Sequence, residues 1–301
     1  MSFLRTLYPW PGRTVLVYRL VGQKQVRVGA APWTASSLAV VKTIRRQINR
    51  ERPARSIQMS PEDIYPGAKF PIRREIHDAQ ATAIGQWASP GTWWSAAERL
   101  AIVGEVRNAR DADELPPWIA PSTVDGLIPE DHPLPDGAID AIWRLTNHLG
   151  TVTRRWYEAL VPDRLSAEQY VELVGVVAQV NLVDRFADAL TLDRPSLPAP
   201  VEGEPSRALP EGAAINVHWV PTAPVVDPSW LPTDAKVDVP NVRKALSLVP
   251  AERVMQWTLI DAHYVAGGAL ADDFGDQHWS LDRPQIELIG ARTSALNECF
   301  Y

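Results

Sequence analysis

Cysteine is almost absent from this chain: the 301 residues contain one, Cys299. A single thiol cannot close an internal disulfide, which fits a reducing compartment and an expected cytoplasmic location. Long apolar runs are also missing. No stretch reaches the roughly 18 apolar residues that a bilayer-spanning helix needs, so no membrane partner is expected. The N-terminus lacks an apolar core followed by a small-residue cleavage site, which disfavours a secretory signal. None of the six histidines forms an H-x-H, H-x-x-x-H or H-E-x-x-H pair, so no metal site follows from spacing. Neither G-x-G-x-x-G, nor a phosphate-binding G-x-x-x-x-G-K-[ST], nor G-x-S-x-G occurs, and no cofactor is expected.

Acidic residues are scarce in one part only. Residues 1–58 hold eleven Arg and Lys against Glu51 alone, a balance of +10. The other residues hold 30 − 11 = 19 bases and 36 − 1 = 35 acids, a balance of −16. A body that acidic repels polyanions and weighs against a nucleic-acid partner. The basic segment is read as an extension, either disordered or lying ahead of a native start at Met59. Within it, Thr14–Val28 has the alternation of a short hairpin.

With hydrophobic residues at 46% and charged residues at 22%, the chain as a whole has the composition of a folded protein. One pattern occurs three times: Trp94–Gly104 (WSAAERLAIVG), Leu165–Gly175 (LSAEQYVELVG) and Ser280–Gly290 (SLDRPQIELIG). Each opens on a helix cap, Ser95 with Glu98, Ser166 with Gln169 and Asp282 with Gln285, in which a side-chain oxygen and the third residue satisfy free backbone N–H groups reciprocally. Each closes on a glycine placed to let helices approach. Behind the second cap, Leu173, Val176, Val177, Val180, Val183 and Ala187 recur at helical spacing, which predicts a long amphipathic helix. Further helices are expected over 138–160 with a break at Gly150, over 241–248 and over 254–265. Trp93–Trp94 and Trp279 precede caps as hydrophobic staples, and His148 and His263 read as capping or core-edge residues. Ten prolines between 192 and 240 exclude regular helix there and predict an ordered linker packed on the body. The expected organisation is an extension over 1–58, a helical half over 59–195, a Pro-rich linker over 196–238 and a C-terminal unit over 239–301.

The third copy is the one with a thiol after it. Glu287 precedes Cys299 by twelve residues, about 18 Å on a straight helix. The two can meet only if the chain turns, and Asn297 is placed to cap a new helix whose dipole would favour the Cys299 thiolate. Position nine after the glycine is Asp113 in the first copy and Asp184 in the second, so neither supplies a substitute thiol.

The run L-D-R-P-Q-I-E-L-I-G-A-R-T-S-A-L-N-E-C-F-Y at 281–301, preceded by P-N-V-R-K-A-L-S-L-V-P at 240–250, resembles the carboxymuconolactone decarboxylase/alkylhydroperoxidase AhpD-like superfamily, in particular its multi-copy peroxidase-related members. Weaker echoes lie at 166–181 and 91–101. The resemblance implies an all-α helical bundle of repeated units, a homo-oligomer, and an antioxidant oxidoreductase that takes a peroxide and a thiol reductant. In the family a glutamate is followed by Cys-x-x-Cys and a histidine; Glu287 matches the proton-relay glutamate and Cys299 the first, peroxidatic cysteine. The second cysteine, or a selenocysteine, would stand at position 302, so the unit is expected to be incomplete at the redox motif and peroxide reduction by the 301-residue chain to be weak or absent. The other readings are a non-catalytic oligomeric helical protein, an acid–base enzyme of the lactone decarboxylase kind, and a nucleic-acid binder through the basic N-terminus.

Overall fold

The computed structural model describes residues 15–21, 24–31, 64–225, 241–264 and 281–296. These fall into two units, an N-terminal hairpin and a helical body from Ile64 onward. In the hairpin, β1 (Val15–Val21) pairs antiparallel with β2 (Lys24–Ala31), Val15 opposite Ala31 and Val21 opposite Lys24. The expected hairpin is therefore present, three residues longer at its far end than the pattern at Thr14–Val28 indicated.

The body is helical: α1 (Arg74–Trp87), α2 (Ala96–Asp111), α3 (Asp136–Asn147), α4 (Arg154–Leu160), α5 (Ala167–Ala189), α6 (Asn241–Lys244), α7 (Pro250–His263) and α8 (Arg283–Leu296). No helix among the described residues is long and apolar enough to cross a membrane. The caps form as read. Ser95 accepts from the Glu98 N–H while the Glu98 carboxylate receives the Ser95 N–H at 2.8 Å. Ser166 and Gln169 repeat the exchange, and the Gln285 N–H donates to Asp282 Oδ1 at 2.9 Å while the Asp282 N–H donates to Gln285 Oε1 at 3.0 Å. Trp94, the residue before the first cap, is fully buried and its indole N–H donates to the Gln169 carbonyl at 3.0 Å, which ties the first copy to the second.

The core is shared between copies. Ile102, Val103 and Val106 of α2, Ile139 and Ile142 of α3, and Leu173, Val176, Val180 and Val183 of α5 form one cluster with Leu248, Val249, Met255 and Leu259 from α7 and the turn before it. Burying a side chain of that size stabilises the fold by about 1.5–3 kcal/mol, so α5, with its broad buried face, is the central pillar. The helix expected over 138–160 is broken in two, with a 3₁₀ turn at Leu149–Thr151 where Gly150 was expected to interrupt it. His148 caps α3 and His263 closes α7. The α7 helix starts four residues earlier than its apolar spacing suggested because Pro250 takes the first helical position, where its missing N–H is not needed. The helix expected over 241–248 stops at Lys244, and Leu246 adopts a positive φ of 63°.

The described part of the Pro-rich stretch runs without helix and is pinned to the body. The N–H of Val201 donates to the Ala88 carbonyl at 2.7 Å and that of Arg207 to the Thr92 carbonyl at 2.9 Å. Trp219 packs on Tyr157 with ring centroids 4.9 Å apart. Residues 226–240, with Trp230, lie outside the described residues, as do Trp279 and most of the extension over 1–58.

The three closing glycines prove unequal. At Gly175 a Cβ would come within 2.7 Å of the Cβ of Glu252, so α5 and α7 do approach there, and at Gly290 it would meet the Tyr264 hydroxyl at 3.3 Å. Gly104 corrects the expectation: nothing lies within 4 Å of its Cβ position, so no close approach requires that glycine.

Candidate functional site

The third copy folds as a capped helix, and it leaves Glu287 exposed. The Tyr264 hydroxyl, just past the end of α7, donates to Glu287 Oε2 at 3.1 Å. From Glu287 the helix continues unbroken through Leu296, about 14 Å further along its axis. Cys299 and the break expected at Asn297 lie outside the described residues.

The second copy treats the matching positions differently. Three residues before its glycine stands Glu172, aligned with Glu287, and nine after it stands Asp184, aligned with Cys299. Both side chains are fully buried on the uninterrupted α5. Arg107 clamps Asp184 with two bonds, Nε to Oδ2 at 2.9 Å and Nη2 to Oδ1 at 3.0 Å. Glu172 accepts the Trp93 backbone N–H at 2.5 Å and the Arg99 guanidinium. In the first copy the glutamate position is Ala101. The copies therefore share caps and helix but not chemistry.

Arg99 is the centre of a buried network that no motif announced. Its Nη1 lies between Glu172 and Glu252, 2.8 Å from Glu252 Oε1, and all three side chains have at most about 1% exposure. Gln179 Nε2 donates to Glu252 Oε2 at 2.6 Å and Gln86 Nε2 to Glu252 Oε1 at 3.1 Å, while the Trp87 indole donates to Gln179 at 3.0 Å. Helices α1, α2, α5 and α7 thus meet at one polar knot. Burial opposes charge on Arg99, but Glu252 and Glu172 outweigh it and push its pKa up. One guanidinium against two carboxylates leaves a net negative charge. Burial raises the Glu172 carboxyl pKa, with Glu252 adding to it against the pull of Arg99 and the Trp93 N–H. Arg99 Nε and Nη2 are buried and have no hydrogen-bond partner among the described residues. The backbone closes over the knot at Gly91, where a Cβ would overlap Glu172 Oε1.

A second buried chain runs beside it. The Tyr65 hydroxyl donates to Gln80 Oε1 at 2.5 Å, and Gln80 Nε2 lies 2.9 Å from His263 Nε2. His263 Nδ1 is 2.8 Å from the Leu259 carbonyl. A carbonyl can only accept, so Nδ1 carries the proton and Nε2 accepts from Gln80. Burial holds the His263 pKa below its ordinary value, with the Arg73 charge acting in the same sense.

The sequence held one signal for the Arg99 knot: Glu172 falls among Val171, Leu173 and Val176, where a surface glutamate does not belong. Glu252 and Arg99 sit in first turns, where charge is ordinary, and gave no signal. Among the described residues no cluster of three or more His, Cys, Asp or Glu is placed to hold a metal ion. No family model, curated protein or solved structure matches the chain.

Proposed function

We propose that the chain is an AhpD-like thiol oxidoreductase, impaired by its incomplete redox motif, in which Cys299 slowly reduces a peroxide and Glu287 relays the proton. The observation that supports this is the contrast between the two aligned glutamates: Glu172 is sealed inside an ion-pair knot, whereas Glu287 is solvent-accessible and oriented by the Tyr264 phenol. In the reaction the Cys299 thiolate attacks the terminal peroxide oxygen and the O–O bond breaks. Cysteine becomes a sulfenic acid and the alcohol leaves with a proton delivered through Glu287. An external thiol then condenses with the sulfenic acid, releasing water and forming a mixed disulfide, and a second thiol restores Cys299 and departs as the oxidised disulfide. The homo-oligomer implied by the same resemblance would bury the exposed Leu288, Ile289 and Leu296 of α8.

A non-catalytic oligomeric protein is the competing reading, favoured by that same apolar face. Peroxide consumption in the presence of dithiothreitol separates the two. The oxidoreductase reading expects turnover that Cys299→Ser abolishes and Glu287→Gln slows by about 10²-fold or more. Turnover equal in the native chain and Cys299→Ser removes it.

A further inference from the structure

A cavity of about 240 Å³ opens between the 115–121 loop, the second half of α3 and α4. None of its lining residues belongs to the third copy or to the Arg99 knot. Its walls combine two kinds of chemistry. Trp118, Trp143 and Trp156 supply aromatic surface, and Trp118 keeps 81% of its area in solvent, an unusual position for an indole. Arg144 and Arg164 stand against a single carboxylate, Asp140, so the lining carries excess positive charge.

The polar groups are held before any ligand arrives. Asp140 is buried and accepts the Ser122 N–H at 3.1 Å, the Ser122 hydroxyl at 3.0 Å and Arg164 Nη2 at 2.7 Å. Arg144 Nη1 donates to the Thr151 carbonyl at 3.2 Å and to its hydroxyl at 2.9 Å, Nη2 donates to the Pro117 carbonyl, and the guanidinium lies 5.2 Å from the Trp156 ring centroid. His148 Nε2 lies 2.6 Å from the Leu115 carbonyl and is occupied by the loop. Arg164 differs: its side chain is 42% exposed and, among the described residues, its one side-chain hydrogen bond is the Asp140 bond, which leaves the rest of its donor fork open.

We propose that this cavity binds a monocyclic carboxylate, its ring against Trp118 and Trp156 and its carboxylate on the open donors of Arg164. The size agrees: an enclosed cavity of about 150 Å³ holds benzene, which leaves room here for one carboxylate beside a ring. A guanidinium fork matches a carboxylate bidentately and an indole face matches a flat ring. A cation is disfavoured by the net charge, and a bare oxyanion would leave the aromatic wall unused.

Titration of the full chain with benzoate, followed by the indole resonances in NMR, tests the assignment. A ligand of this size is expected to bind with a Kd on the order of 1 mM. Arg164→Gln is expected to weaken it about tenfold or more, and Trp118→Ala, an exposed position that the fold does not need, to weaken it several-fold. Benzylamine and inorganic phosphate should leave the Trp118 and Trp156 signals unmoved, and Cys299→Ser should bind benzoate as the native chain does. The assignment is overturned by any of three results. These are no saturable shift with benzoate, an unchanged affinity in Trp118→Ala, or binding of benzylamine or phosphate as tight as that of benzoate.

Discussion

Gly175 of α5 and Glu252 of α7 are packed so closely that a methyl group on the glycine would lie 2.7 Å from the glutamate Cβ and 2.9 Å from its Cγ. That approach brings the Glu252 carboxylate within reach of Arg99, and it makes the repeated glycines testable as a pair. Gly175→Ala adds helix propensity of about 1 kcal/mol but forces overlap costing about 1–3 kcal/mol in a fixed core, so net destabilisation is expected. Gly104→Ala meets no obstacle and should stabilise by about 0.5–1 kcal/mol. Urea unfolding of the two variants should therefore move the midpoint in opposite directions, and a shift of the same sign in both would refute the packing described.

Arg99 holds together two carboxylates that otherwise could not share the core. Arg99→Met should cost about 3–5 kcal/mol near neutral pH, because it leaves buried charge without a partner. The loss should shrink on acidification. Glu172 has a folded pKa above its unfolded value, so the folded state binds more protons and stability falls as pH rises through that range. Adding Glu172→Gln to Arg99→Met should recover part of the stability at neutral pH and flatten the dependence. Denaturant melts at several pH values read both effects, and a pH-independent loss in Arg99→Met would contradict the buried-charge account.

His263 gives the opposite slope. Its folded pKa lies below the unfolded value of about 6.5. As pH falls through that unfolded value the unfolded chain takes up the proton first, and stability drops on acidification. In His263→Gln this acid-side loss should be reduced, with the neutral form of the Gln80 contact partly kept. An identical acid limb in both proteins would mean that His263 is not held neutral between Gln80 and Leu259.

Much of this architecture could be read from local sequence, because caps and periodicity are local. Ser95, Ser166 and Asp282 each begin a helix where their hydroxyl or carboxylate spacing says they should, and α5 follows its apolar stripe from Ala167 to Ala189. What the sequence did not disclose depends on partners far away in the chain. Arg99 meets Glu172 across 73 residues and Glu252 across 153, and Arg107 meets Asp184 across 77. A charged residue in a first turn reads as a surface residue until another helix covers it. The same limit explains the glycines: three identical positions in the repeat face Glu252, Tyr264 and open space. Of the expected site, Glu287 is placed and Cys299 lies outside the described residues. The cavity lined by Trp118 and Arg164 was not foreseen, since the loop that forms one wall has no periodicity.

Peroxide reduction by this chain requires that Cys299 be activated beside Glu287. Trapping with dimedone after a brief exposure to hydrogen peroxide, read by peptide mass spectrometry, measures this directly. The expected result is labelling of Cys299 as the sulfenic acid at a rate above that of a free cysteine in an unfolded peptide, slowed at least about tenfold in Glu287→Gln and left intact in Glu172→Gln. Labelling at the rate of a free cysteine in an unfolded peptide, with no change in Glu287→Gln, would contradict it.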